Sequence, residues 1–192
     1  MRHHKSLKLA VCLTAFMSLQ GCVSGIVLGA LGVASVVNDR RTTATQLEDE
    51  SIELKANSAI DKDKGLDEHS NISIVSYNRT ILLIGQVPNT MLRDRAAKIA
   101  GDVENVTRVH NQLRIGNKTA LTTRTNDTWL TSKVKVALTA DETLKGSQIK
   151  VITEHGEVFL MGLVTQQEGS LAAEMARNVS GVKQVIKAFE YQ

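Results

Sequence analysis

The residues best suited to binding chemistry lie together on one predicted helix in the second half of the chain. Trp129, Lys133, Val136 and Ala140 recur at helical spacing and form one stripe, with Lys135 nearby. An indole ring favours the headgroup level of a bilayer, and ammonium groups attract phosphate. Each lysine beside an anionic surface contributes about 1 kcal/mol to binding. This combination predicts a helix that lies on a membrane of anionic phospholipid.

The same helix has a second, wholly apolar stripe about 120° around its axis. Leu130 and Val134 belong to this stripe, together with Ala137 and Leu138. An apolar stripe of this kind packs a helix onto its own domain. We therefore expect Leu130 and Val134 to hold the helix to a sheet while the tryptophan stripe touches lipid. The predicted phospholipid-binding set is Trp129, Leu130, Lys133, Val134, Lys135 and Val136.

Other reactive side chains are scattered and form no catalytic pattern. His69, His110 and His155 are far apart, in a predicted loop, strand and turn, so they lack a usable metal-ligand spacing. Nucleophile-elbow, phosphate-loop and zinc-protease motifs are absent from the sequence. Asp127 and Asp49 each stand at the start of a predicted helix, where N-terminal capping explains them. We expect no metal, no cofactor and no enzymatic activity.

Residues 1–21 have the order of a bacterial export signal. Basic residues precede and enter an apolar run that ends at Leu19, and this run is shorter than the roughly 20 residues that cross a bilayer. The segment Leu19-Gln20-Gly21-Cys22 resembles the lipobox of bacterial lipoproteins, which implies that Cys22 is acylated and begins the mature chain. Val23 follows where an aspartate would favour the inner membrane, so the resemblance implies the outer membrane. The alternative is that Cys22 is a small apolar residue of a longer hydrophobic segment.

Removal of that signal cancels the basic character of the chain. The sequence has 23 Lys and Arg residues against 20 Asp and Glu residues. Arg2, Lys5 and Lys8 lie in the predicted signal, which contains no acidic residue, so the mature chain is balanced. A nucleic-acid-binding protein normally has a basic surplus or stripe, so nucleic acid is not an expected partner. Because Cys12 and Cys22 both lie at or before the processing site, we expect no disulfide or thiolate site in the folded part.

The chain contains the same unit twice. Three blocks of the first half recur in the same order in the second, at near-constant offsets: residues 49–60 match 127–138, 75–87 match 152–164, and 96–113 match 172–189. The stripe that holds Trp129 and Val136 corresponds to Ser51 and Ser58 in the first copy, so only the second copy has an apolar outer face. The alternative is that this face packs against the first unit, since apolar patches also mark protein contacts.

Each unit is predicted to run helix, strand, strand, helix, strand. Asn78-Arg79 and His155-Gly156 are typical of hairpin turns, which need residues that tolerate positive φ. The last strand, predicted over 106–115 and 182–191, follows a helical crossover. The fold class is therefore α+β, with two tandem modules of a three-stranded mixed sheet and two helices on one face. A module of about 70 residues buries a thin core, so we expect the two copies to touch.

The repeated pattern resembles the BON family, which is proposed to bind phospholipids. The resemblance is carried by Asn126-Asp127-Thr128-Trp129, by Gly85 and Gly162 in the second strands, and by the run GEVFLMGLV at 156–164. A lipobox followed by two such units is similar to outer-membrane lipoproteins with two BON modules, and the likeness covers nearly the whole chain. It implies a protein that faces the periplasm, binds anionic phospholipid through its second module, concentrates at the division site and supports outer-membrane integrity.

The predicted organisation follows from these features. Its parts are a lipoprotein signal peptide at 1–21, acylated Cys22 with a Gly-rich tether at 22–45, a first BON module at 46–116, a linker at 117–124 and a second BON module at 125–192. The tether includes an apolar run at 23–37, which is too short to span a bilayer. We expect this run to lie near the lipid, and a packed strand or helix is the alternative.

Two other classes of function remain open at this point. In the first, the Trp129 stripe and the exposed sheet edges make the protein an adaptor that binds envelope proteins or peptidoglycan-remodelling partners. The second is an enzyme, which the sequence disfavours because no nucleophile, base and orienting group can be assembled from its motifs. The favoured prediction is an anchored lipoprotein that binds anionic phospholipid.

Overall fold

The computed structural model describes residues 39–192. The predicted signal peptide, Cys22 and the tether up to residue 38 lie outside the described residues. Within 39–192, no helix is both long enough and apolar enough to cross a membrane.

The first module has three helices and a three-stranded sheet. Its elements are α1 (Thr43–Asp61), α2 (Lys64–His69), β1 (Asn71–Tyr77), β2 (Thr80–Val87), α3 (Thr90–Gly101) and β3 (Arg108–Ile115). The central strand, β2, pairs with β1 antiparallel and with β3 parallel. The short helix α2 was not predicted, and it begins where the Asp63 side chain accepts hydrogen bonds from the Gly65 and Leu66 amides.

The second module repeats this plan, with a 3₁₀ turn instead of a short α-helix before its first strand. Its elements are α4 (Leu121–Ala140), a 3₁₀ turn (Gly146–Gln148), β4 (Lys150–Glu154), β5 (Glu157–Val164), α5 (Gln166–Arg177) and β6 (Gln184–Tyr191). The central strand, β5, pairs with β4 antiparallel and with β6 parallel. The predicted fold class, two tandem α+β modules with mixed three-stranded sheets, is confirmed.

Both hairpin turns form at the predicted dipeptides. Asn78 and Arg79 have φ of 50° and 61°, and His155 and Gly156 have φ of 55° and 79°. Two successive residues in the left-handed region define the type of tight turn that matches the twist of the flanking strands. These turns fix the register of β1 on β2 and of β4 on β5, and therefore decide which side chains face the helices.

The helices of each module cover one face of its sheet. In the first module, Ile52 and Ala56 of α1 pack with Leu83 of β2. In the second, Val134 and Leu138 of α4 pack with Leu160 of β5. The predicted apolar stripes therefore set how each long helix is rotated about its axis.

The other faces of the two sheets pack against each other. Leu82 and Ile84 of β2 meet Phe159 and Met161 of β5, and all four side chains are almost fully buried. Strand β2 is consequently buried on both sides, which explains its continuous apolar run. Each large apolar side chain buried here stabilises the contact by about 1.5–3 kcal/mol. Residues 39–192 thus form four layers, helix, sheet, sheet, helix, with the expected contact between the copies at the centre.

Polar side chains join the modules around this apolar centre. Gln86 Nε2 donates to Glu154 Oε1 over 2.6 Å, and Lys150 Nζ lies 2.9 Å from Glu53 Oε1. Both contacts are partly buried, so water competes with them less than with a surface pair. They help to fix how one sheet is turned on the other.

Two helices begin earlier than the repeat suggests. Helix α1 starts at Thr43, inside the segment assigned to the tether, and α4 starts at Leu121, inside the segment assigned to the linker. The first turns of both are mostly polar and lack the apolar period that marks a buried helix. Sequence periodicity detects only the part of each helix that packs on the sheet.

Candidate functional site

Helix α4 is attached to its sheet through a buried carboxylate. The Asp127 side chain accepts hydrogen bonds from the backbone amides of His155 and Gly156, each over 2.8 Å. The interpretation of Asp127 as a helix N-cap is therefore wrong, because the helix begins six residues earlier, at Leu121. The carboxylate instead satisfies two amides of the β4–β5 turn.

Asp49 has the same role in the first module. Its side chain accepts from the backbone amides of Asn78 and Arg79, over 2.8 and 2.7 Å, and from Ser76 Oγ over 2.7 Å. Its predicted role as an N-cap is also wrong, since α1 starts at Thr43. An aspartate on the long helix that binds the hairpin turn is thus a feature of the repeated unit, and sequence alone did not reveal it.

Two of the six predicted lipid-binding residues are buried and hold α4 in place. Leu130 is 1% exposed and Val134 is fully buried, and both face the core of the second module. They hold the helix to the sheet, as expected, and their side chains do not reach the surface. The surface itself is formed by the residues of the other stripe, about 120° around the axis of α4.

This outer stripe of α4 is apolar and exposed. Trp129 is 64% exposed and Val136 is 68% exposed, and Ala140 continues the stripe. We call this set, Trp129, Val136 and Ala140, the α4 stripe. Its two large side chains do not pack against the first module, which excludes that alternative for them. An exposed tryptophan beside a valine on a surface helix indicates a contact surface.

Lysines lie on both sides of the α4 stripe. Lys133 is partly buried, and its Nζ donates to the backbone oxygen of Ser180 over 2.6 Å. Lys135 is exposed and makes no ion pair within residues 39–192. Lys133 therefore presents its charge from a fixed position, while Lys135 is free to move toward an anion.

The corresponding helix of the first module has a different outer face. Lys55 forms an exposed ion pair with Glu104, whose atoms are 3.2 Å apart. Leu47 and Leu54 are exposed on α1, a feature that the sequence comparison overlooked. Glu50 lies between them, three and four residues away, and so occupies the same side of the helix. An apolar pair with a carboxylate between its members is poorly suited to an anionic surface.

Comparison with known proteins places these two modules in a family. The family model described as BON domain matches residues 48–117 and 126–192, which together make up more than half of the chain. The chain belongs to the BON domain family. Both copies of the unit, including Asp49 on α1 and Asp127 on α4, lie within the matched segments.

Relatives within the BON family sharpen this assignment. The chain is 44% identical to the outer membrane lipoprotein DolP of Haemophilus influenzae, over 96% of this chain and 95% of that protein. It is 40% identical to a 21 kDa hemolysin of Actinobacillus pleuropneumoniae, over 80% of this chain and 79% of that protein. It is 31% identical to osmotically-inducible protein Y of Escherichia coli, over 72% of this chain and 70% of that protein. The chain is accordingly an outer-membrane lipoprotein with two BON domains.

The histidines have separate surroundings in this BON protein. His69 and His155 are exposed, at the end of α2 and in the β4–β5 turn, and His110 is partly buried on β3. Burial, with the charge of nearby Arg108, lowers the pKa of His110. Across residues 39–192, no three His, Cys, Asp or Glu side chains are grouped so that they could hold a metal ion. The three relatives have names that do not describe enzymes.

Proposed function

We propose that this lipoprotein is anchored by acylated Cys22, faces the periplasm and binds anionic phospholipid through α4. The observation that carries the proposal is the α4 stripe, in which Trp129 and Val136 are largely exposed on a helix whose other side is locked into the core. Because α4 is already packed on its sheet with Trp129 and Val136 exposed, binding needs little rearrangement. A preorganised surface loses less entropy when it binds.

The two kinds of side chain on α4 have complementary roles in this proposal. Trp129 rests at the level of the headgroups, with Val136 and Ala140 against the upper part of the acyl chains. Lys133 and Lys135 interact with lipid phosphate from either side of the stripe. Neither Leu130 nor Val134 touches lipid, because both are needed to keep α4 on its sheet.

The wider role that we propose follows from the anchor and the second contact together. A protein that is acylated at Cys22 and also binds phospholipid through α4 has two attachments to lipid. We propose that it supports outer-membrane integrity in this way and concentrates at the cell division site. The outer-membrane lipoprotein relative supports the location that this role requires.

The proposal is tested by vesicle binding of an unacylated mature chain, beginning at residue 22 with Cys22→Ser. We expect it to bind vesicles of phosphatidylglycerol, and Trp129→Glu to abolish that binding without lowering the melting temperature, because Trp129 is exposed. The matched control is Ser51→Glu, the equivalent position on α1, which should leave binding unchanged. Full binding by Trp129→Glu would contradict the proposal.

Amide NMR shifts separate lipid binding from the adaptor function. Micelles of phosphatidylglycerol should shift amides between Thr128 and Ala140, and zwitterionic micelles should not. If neither lipid shifts them, the α4 stripe is a protein contact. The adaptor function, with envelope or peptidoglycan-remodelling partners, would then replace lipid binding.

A further inference from the structure

A polar row runs along α4 beside the apolar stripe. Arg124, Thr128 and Lys135 are spaced by four and seven residues, so they lie on one side of the helix. Together with residues of β4 and β1, they line a surface groove of about 450 Å³. Around the helix, Lys135 is about 100° from Val136 and about 120° from Trp129, and Arg124 is about 120° and about 140° from them. Both cations therefore begin slightly beyond the helix axis, on the side away from a membrane that the stripe faces.

The groove exists because the two modules are packed together. One wall is α4 with β4 of the second module, and the other includes Asn71 and Ser73 of β1 in the first module. The groove is therefore a property of the four-layer arrangement and not of a single BON module. Its walls are largely hydroxyl and amide side chains, which leave the two cations as its strongest features.

The cations of the groove lack partners, whereas its carboxylates have them. Within residues 39–192, the side chains of Arg124 and Lys135 make no ion pair. Asp127 is engaged by the turn amides, and Glu154 Oε1 accepts from Gln86 Nε2 and from Thr119 Oγ1, over 2.6 and 3.2 Å. Arg124 and Lys135 thus offer charged donors without an ion-pair partner in residues 39–192, which suits an anionic oxygen ligand.

The two cations are too far apart to hold one phosphate. Eleven residues separate Arg124 from Lys135, which corresponds to about 16 Å along the helix axis. Arginine presents a planar fork that matches two phosphate oxygens, and lysine presents a mobile point charge. Each end of the groove is therefore suited to its own phosphate.

The first module lacks this cationic row. The positions on α1 equivalent to Arg124 and Lys135 are Gln46 and Asn57, and Glu50 stands where α4 has Thr128. The row thus occurs on the same helix as the exposed tryptophan and is missing from the other copy. Because both features occur only on α4, we connect the groove with the surface that is proposed to bind lipid.

We propose that the groove seats the phosphates of two neighbouring anionic glycerophospholipids, one at Arg124 and one at Lys135, while the α4 stripe enters the membrane beside them. This inference rests on the proposed function of α4 and adds to it the residues that select negative charge. Long cationic side chains can extend along the helix surface to reach the headgroups. The preference for anionic lipid then resides in Arg124 and Lys135 rather than in Trp129.

The test uses the unacylated mature chain with Arg124→Gln and Lys135→Asn, which installs the residues of the first module. Binding to phosphatidylglycerol vesicles should weaken about 30-fold, since each cation at an anionic surface accounts for about fivefold. The charge-matched control is Arg177→Gln with Lys187→Asn, two exposed cations on α5 and β6. Its affinity should fall less than about threefold, because charges away from the contact are screened.

The outcomes separate the groove from the proposed function. If the parent chain does not bind these vesicles, both proposals fail. Suppose that the parent binds, and that the Arg124/Lys135 variant binds equally well or no worse than the Arg177/Lys187 control. The proposed role of the groove is then wrong, and lipid binding by α4 stands. Unchanged melting temperatures would confirm that the variants are folded.

A second arm distinguishes lipid phosphate from free phosphate. Inorganic phosphate in the low-millimolar range should give no saturable shift of the Arg124, Thr128 and Lys135 amides. Saturation there would mean that the groove binds a soluble anion, which would overturn its assignment to lipid.

Discussion

Helices α1 and α4 share one internal design and have opposite outer faces. Each packs an apolar stripe on its own sheet and binds the adjacent hairpin turn through a buried aspartate, Asp49 or Asp127. On the outside, α4 presents Trp129 between lysines, whereas α1 presents Leu47 and Leu54 with Glu50 between them. The residues that the fold requires therefore lie on the inner side of each helix. The outer side is where the two copies differ in the chemistry that they expose.

Gly85 and Gly162 occupy equivalent positions in the repeated sequence, and replacing them should give the largest difference that we expect between the copies. Gly85 has φ of +121°, and a Cβ there would lie 2.0 Å from the backbone oxygen of Asn71, while at Gly162 the nearest atom, Gln148 O, would be 3.2 Å away. Gly85→Ala should destabilise the protein by at least about 3 kcal/mol, through backbone strain and the clash. Gly162→Ala should change stability by less than about 1 kcal/mol. Urea unfolding of both variants measures this, and equal effects would show that the two strands are strained alike.

The next largest effect tests the shared aspartate. Asp127→Ala leaves two turn amides without an acceptor and should cost about 2–4 kcal/mol. Asp49→Ala should cost about 1 kcal/mol more, because Asp49 also accepts from Ser76 and pairs with Arg41 over 2.7 Å. Denaturant unfolding gives both values. Asp127→Asn and Asp49→Asn, which keep an acceptor oxygen, serve as controls and should recover part of the loss.

Transplanting the outer face of α4 onto α1 tests whether that face is sufficient for binding. In a Trp129→Glu background, Ser51→Trp with Ser58→Val should restore only weak binding to phosphatidylglycerol vesicles. Addition of the cationic row, through Gln46→Arg, Glu50→Thr and Asn57→Lys, should strengthen it about 30-fold or more. Vesicle co-sedimentation compares the two grafts. If the apolar graft alone binds as tightly as the complete one, the cationic row contributes nothing at this surface.

The smallest expected effect concerns an arginine that precedes α1 and contacts the second module. Arg40 donates to Glu168 and to the backbone oxygen of Leu163, and Glu168 belongs to the capping box of α5. The hydrogen bond from Arg40, followed by that from the Thr165 amide, lowers the pKa of Glu168 from 4.5 to about 2. A lowered carboxyl pKa stabilises the fold above about pH 4.5, and the stabilisation is lost as the pH falls toward about 2. In Arg40→Gln, the thermal stability should depend less on pH across this window, and an unchanged pH profile would exclude the contact.

Much of the fold was predictable because it depends on local spacing. The period of Leu130, Val134 and Leu138 gives both the existence of α4 and its rotation, which is why Trp129 could be placed on the surface. The Asn78-Arg79 and His155-Gly156 dipeptides located the turns through their tolerance of positive φ. In each case a few neighbouring residues determine the structure.

What could not be predicted depends on contacts between distant residues. The continuous apolar run of β2 indicates burial on both faces, but nothing local says that β5 covers the second face. The role of Asp127 was missed because an aspartate near a helix start is also typical of a cap, and only the fold brings the β4–β5 turn to it. The groove at Arg124 and Lys135 was missed for the same reason, since its far wall comes from the other module.

Arg40 and Arg41 are adjacent in the chain, yet they hold different modules. Arg40 pairs with Glu168 in the second, and Arg41 pairs with Asp49 and lies over the Tyr77 ring in the first. A mechanical pull transmitted through the residues before α1 would therefore load both modules in parallel. In two domains joined only by a linker, the same pull would reach the second domain only through the first.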